Sequence, residues 1–216
     1  MPVLCGKPDA EYVTQNEPGG SSESSIILDI FFKGSMDKSQ LRSVMREQRR
    51  KLDPLSKERA AENLCRQLIQ HKIWHQIKHL GIYYPMVEEL DTRRVIDAAW
   101  KAGKAVYLPT VDVEQNTMHF YPYRPNDDLI SSDWGVMQPQ KQANHADNQL
   151  DGLIVPALCV DRHGFRIGYG YGYYDRFLIA HKKQLVSIAV AFSCGHVDSI
   201  PHEAWDQPCD LVMLAK

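Results

Sequence analysis

The chain has 216 residues, a length that points to one domain with a sizeable core. Its composition, 44% hydrophobic and 24% charged, is that of an ordinary globular protein and excludes collagen-like, disordered and disulfide-scaffold classes. A net charge of −2 lacks the basic excess that a nucleic-acid partner requires, and five scattered cysteines suggest neither a zinc knuckle nor a disulfide framework. A reducing, cytoplasmic setting is expected.

Residues 1–35 stand apart. Pro2, Pro8, Pro18 and the run Gly19-Gly20-Ser21-Ser22-Glu23-Ser24-Ser25 have linker composition, so a disordered tail or non-native extension is expected there, followed by a single domain over residues 36–216. The apolar burst at 26–32 is interrupted by Asp29 and is far shorter than the roughly 20 residues of a membrane helix, so no membrane partner is expected. Beyond the tail, 23 basic residues face 22 acidic ones, giving a nearly neutral body.

Asp37 followed by Gln40 resembles a capping box, and Leu41, Val44, Met45 and Leu52 continue at helical spacing until Pro54. Ser56 is placed to cap a second helix with the stripe Ala60, Ala61, Leu64, Cys65, Leu68 and Ile69. A βαβ pattern follows: a strand over 80–84, a helix with Val95, Ile96, Ala99 and Trp100 ended by Gly103, and a strand over 105–108. Further strands are expected over 118–123, 153–160 and 185–192, with a helix over 173–181. Strands alternating with helices predict an α/β three-layer sandwich, a mostly parallel central sheet with helices on both faces.

Ligands of such sheets sit beyond the carboxyl ends of the strands, here the loops after Tyr84, Leu108 and Val160. The last loop, Arg166-Ile167-Gly168-Tyr169-Gly170-Tyr171-Gly172-Tyr173-Tyr174-Asp175-Arg176, sets three alternate glycines between a buried strand and a helix, where backbone N–H groups can approach an anion. Its spacing matches neither G-x-G-x-x-G nor the P-loop, so an anion site and a flexible turn both remain open. On the first helix, Lys38, Arg42, Arg46 and Arg49 share an arc of roughly 80°, a face that suits phosphates or plain solvent. The nine histidines and five cysteines show no H-E-x-x-H or C-x-x-C spacing and receive no role.

The glycine loop, together with Lys38-Ser39-Gln40-Leu41-Arg42, Glu88-Glu89-Leu90-Asp91-Thr92, Pro156-Ala157-Leu158-Cys159-Val160-Asp161, Pro201 and Trp205-Asp206, resembles the signature of the 5-formyltetrahydrofolate cyclo-ligase (5,10-methenyltetrahydrofolate synthetase) family. The resemblance spans about residues 38–212. It implies a monomeric enzyme that uses ATP and Mg²⁺ to turn 5-formyltetrahydrofolate into 5,10-methenyltetrahydrofolate, ADP and phosphate. It also implies catalytic roles for Arg166, Tyr174 and Asp175. Nucleotide contacts are implied for Lys38, Arg42, Arg166, Gly168, Tyr169, Gly170, Tyr171, Gly172, Tyr173 and Tyr174. Folate contacts fall on Tyr84, Met86, Glu89 and Trp134, and Mg²⁺ on Asp175 and Asp206; Arg46 and Arg49 are left as a solvated face. The family loop usually has Gly or Lys where this chain has Tyr171, whose ring is expected to point away from the nucleotide. A sugar-phosphate or other phosphometabolite enzyme, and a noncatalytic folate- or nucleotide-binding module, are the alternatives.

Overall fold

The structure, a computed structural model, describes residues 10–13, 36–181 and 184–216. Within the segment read as a tail, Glu11–Val13 forms strand β1, so that reading is corrected at these positions; the rest of residues 1–35 that it covers, including the burst at 26–32, lies outside the described residues apart from Ala10. Linker composition hides β1 because three residues carry too little pattern to register a strand.

Helix α1 (Lys38–Lys51) begins where the capping box places it: Asp37 accepts the N–H groups of Ser39 and Gln40, and the Gln40 side chain accepts the Asp37 N–H at 2.9 Å. Helix α2 (Pro54–Gln70) starts earlier than expected. Asp53, not Ser56, is its cap, and Pro54 occupies the first turn, where a missing N–H costs nothing. A short α3 (Lys72–Gln76) leads into β2 (His79–Gly81), α4 (Arg93–Lys101), β3 (Ala105–Asp112) and β4 (Thr117–Pro122). A small hairpin, β5 (Ile130–Ser131) with β6 (Met137–Gln138), precedes β7 (Gly152–Pro156).

The buried run at 153–160 is not one strand. The chain leaves the sheet after Pro156, and β8 (Cys159–Val160) turns back to pair antiparallel with β9 (Arg166–Ile167). Asp161, fully buried, fastens this turn: one carboxylate oxygen accepts the N–H groups of His163 and Phe165, the other that of Ile200. Helix α5 (Tyr173–His181), β10 (Val186–Phe192) and β11 (Leu211–Ala215) complete the chain.

The seven strands run in the order β1-β11-β10-β7-β2-β3-β4, every neighbour parallel except β3 and β4. Alternate residues feed opposite layers. Ile154, Ile188, Val190 and Met213 face α2, α3 and α4, while Leu153, Val155, Ala189 and Val212 face Phe177 and Leu178 of α5. The three-layer expectation therefore holds. A third, smaller core joins Leu41 and Met45 of α1 to Leu158, Cys159, Ile167, Val197 and Ile200. No helix among the described residues is long and apolar enough to cross a membrane.

Candidate active site

From β2 the chain proceeds to β3 on one side, whereas β7, on the other side of β2, continues toward β10 and β11. This reversal opens a crevice at the carboxyl ends of β2 and β7, the place where an open α/β sheet receives ligands. A cleft of about 1040 Å³ lies there.

Its β2 wall is the loop 83–92. Two bonds close that loop on itself: the Thr92 hydroxyl donates to the Tyr83 carbonyl at 2.7 Å, and the Tyr83 hydroxyl donates to the Leu90 carbonyl at 2.8 Å. The closure holds Glu89 inward, 8% exposed, where its carboxylate accepts the Met86 N–H at 2.9 Å. Burial pushes the Glu89 carboxyl above its usual range, against the pull of that N–H and of the Arg49 guanidinium. Burial likewise raises the Tyr174 hydroxyl and carries Tyr169 up to about 12.

The β7 wall is the glycine loop between β9 and α5. Gly170 and Gly172 have φ of 105° and 70°, conformations that a side chain disfavours. Arg42 reaches over from α1 and its Nε donates to the Gly168 carbonyl at 3.1 Å. Arg166, with a side chain 4% exposed, donates to Asp175 Oδ1 at 3.0 Å and to the Gln207 carbonyl at 2.6 Å. Gln207 N–H also donates to Asp175 Oδ1, and Oδ2 has no protein partner among the described residues. Lys38 pairs with Asp206 and Glu203. Burial lowers its ammonium, but these carboxylates outweigh it and hold Lys38 above its usual value; burial raises Asp206, yet Lys38 and the Glu203 N–H bring it below the usual range. Across the opening, Trp134 on the β5–β6 hairpin stacks on Tyr171, ring centroids 4.9 Å apart at 15°.

The sequence pattern of the 5-formyltetrahydrofolate cyclo-ligase family matches residues 34–215. The chain belongs to that family. A 5-formyltetrahydrofolate cyclo-ligase of Mycolicibacterium smegmatis is 31% identical over 188 residues, covering 83% of this chain and 94% of that protein. The Haemophilus influenzae protein of the same name is 27% identical over 175 residues, 79% and 94% of the two chains. Among solved structures, the Aquifex aeolicus 5,10-methenyltetrahydrofolate synthetase superposes with a TM-score of 0.69 at 28% identity, covering 82% of this chain and 89% of that one.

In this cyclo-ligase-family enzyme all the residues singled out from the sequence line one cleft: Lys38 and Arg42 from α1, Tyr84, Met86 and Glu89 from the β2 loop, Trp134 from the hairpin, Arg166 and residues 168–175 from the glycine loop and α5, and Asp206. The solvated-face expectation fails for Arg46 and Arg49. Arg46 lines the cleft with its guanidinium 5.3 Å from the Tyr169 ring centre. Arg49 is 3% exposed, donates to the Ala157 carbonyl and sits over Phe192. A basic helix face reads the same in sequence whether it meets water or a second wall; the missing signal was that β8 and β9 fold back onto α1. Lys141, which pairs with Asp112 at 2.7 Å, also lines the cleft and carries no sequence motif. The exposed Tyr171 ring stacks on Trp134 beside the cleft. Cys65, Cys159 and Cys194 form no disulfide among the described residues, and burial pushes the Cys159 thiol up to about 12.

Proposed function

We propose that this protein converts 5-formyltetrahydrofolate to 5,10-methenyltetrahydrofolate at the expense of ATP, in a Mg²⁺-dependent reaction that releases ADP and phosphate. One observation carries the reading: a single cleft joins a buried, loop-locked carboxylate, Glu89, to a glycine turn surrounded by Arg42, Arg166 and Lys38. A formamide carbon is a poor electrophile. Transfer of the ATP γ-phosphoryl group to the formyl oxygen activates it, attack by the second folate amine closes the ring, and that oxygen departs with the phosphate.

Glu89 is the acceptor for paired N–H donors of the folate ring, held in place by the Met86 N–H. Tyr84, Met86 and Trp134 supply apolar surface beside it. The glycine turn offers backbone donors to the ATP phosphates, while Lys38 and Arg42 neutralise their charge. Arg166 is oriented by Asp175 and Gln207 toward the transferring group, with Tyr174 beside it. Asp175 and Asp206 would hold Mg²⁺; the unpartnered Oδ2 of Asp175 suits a hard cation, which would supply charge neutralisation at the phosphates. The decisive assay follows methenyl absorbance with and without ATP and counts ADP. Product only with ATP, at one ADP per turnover, is expected; product without ATP, or none with it, overturns the proposal.

A further inference from the structure

At the β4 edge of the sheet, outside the cleft lining, three side chains from two segments converge. Asp147 is 2% exposed; its Oδ1 accepts the Phe120 N–H at 2.7 Å. Its other oxygen, Oδ2, lies 2.7 Å from His119 Nδ1 on β4 and 3.0 Å from His145 Nδ1 on the segment leading to β7. The two imidazoles stack with centroids 4.3 Å apart, and all three ligand atoms fit within 4.8 Å of one another. A fourth ring, His181 at the end of α5, stacks on Phe177 and has a buried Nδ1 with no partner among the described residues. It lies within electrostatic reach of Asp147, His145 and His119.

We propose that His119, His145 and Asp147 form a binding site for a divalent transition-metal ion such as Zn²⁺. Two imidazoles and a carboxylate are the donor set such ions favour over Mg²⁺. Tetrahedral zinc with bonds near 2.0–2.1 Å spaces its ligands about 3.3 Å apart, so the nitrogens need retreat from Oδ2 by only roughly half an ångström. His145, with a side chain 44% exposed on a loop, has room to do so. Neutral rings load by shifting the proton from Nδ1 to Nε2, with no net proton release. The Phe120 N–H already orients the carboxylate, as outer partners of metal ligands do. A bound ion would tie β4 to the segment before β7.

The full-length protein, stripped with a chelator and kept in saturating Mg²⁺, is titrated with Zn²⁺ in a calorimeter and with Co²⁺ in a spectrophotometer. One equivalent of Zn²⁺, a Co²⁺ visible spectrum without thiolate charge transfer, and a Tm raised by loading are expected. His145→Ala and Asp147→Asn should each weaken binding at least tenfold and abolish the Tm rise, with apo Tm values measured beside them; the Asp147→Asn side chain keeps an acceptor for the Phe120 N–H, so this variant tests the site with its support intact. His181→Ala should weaken binding less. No stoichiometric Zn²⁺ binding in the parent protein, or unchanged affinity in both folded variants, overturns the site and leaves two histidine–carboxylate contacts.

Discussion

Replacing Gly170 by alanine probes the nucleotide reading most directly. At φ of 105° a side chain strains the backbone, a cost of about 1–3 kcal/mol for such conformations. The new Cβ would also stand 3.3 Å from Cζ and 3.4 Å from Nε of Arg42, the nitrogen that donates to the Gly168 carbonyl. The free enzyme relieves both by letting the turn relax, so ATP binding must restore the strained form. At 1.4 kcal/mol per tenfold, the KM for ATP should rise about 5- to 150-fold while that for the folate stays within twofold. Gly168→Ala is the contrast: its Cβ meets no protein atom within 4 Å and its φ is ordinary, so any rise in ATP KM there measures the approach of the ligand alone. Methenyl absorbance is followed with each substrate varied in turn, and calorimetry records Tm. An ATP KM unchanged by Gly170→Ala, or a rise confined to the folate, would refute the cradle.

Glu89→Gln keeps an acceptor for Met86 but removes a buried charge. A carboxyl raised by burial contributes stability at low pH that is lost as pH rises through its folded pKa, so the variant's Tm at neutral pH should hold or increase. Its folate KM should rise about 10- to 150-fold for a lost charged bond of roughly 1.5–3 kcal/mol; unchanged calorimetric folate affinity would return Glu89 to a structural role. Asp175→Asn and Asp206→Asn should each raise the Mg²⁺ needed for half-maximal rate, and wild-type metal dependence in either would leave that aspartate as a partner of Arg166 or Lys38 alone. Arg49→Ala leaves the buried Ala157 carbonyl without its donor and should cost about 2–4 kcal/mol, a Tm loss of roughly 5–15 °C; a shift under about 2 °C would contradict its buried role. A chain starting at Met36 loses three β1–β11 residue pairs at the sheet edge, and should lose a few degrees of Tm in calorimetry yet keep most turnover; insolubility would make the first 35 residues part of the fold.

Much of this was legible because it is local. The capping box at Asp37, the apolar stripe of α2 and the helix over 173–181 depend on neighbours within a few residues, and they form as their spacing predicts. The errors share a non-local cause. Residues 153–160 are uniformly apolar, so nothing in their pattern marks Pro156 as the point where pairing passes from β10 to the β8–β9 turn. Leu211–Ala215 was not singled out at all, although β10 and β1 flank it in the sheet. At the site, the candidate residues were named through their resemblance to a family signature. Arg46 escaped because its partner, Tyr169, lies 123 positions away, and the His119, His145 and Asp147 cluster escaped because no metal spacing joins residues on separate elements.

The smaller core has an implication for how the enzyme tolerates change. Leu41 and Met45 lock α1 onto Leu158, Cys159, Ile167, Val197 and Ile200, and the same helix holds Arg42 on the glycine turn and Lys38 against Asp206. The position of these two cations in the cleft thus rests on the fit of seven buried side chains. A methyl group gained or lost in this small core would shift both cations together, because one helix carries them. Substitutions at Leu41, Met45 and Ile167 should therefore register in the geometry of the cleft as well as in stability.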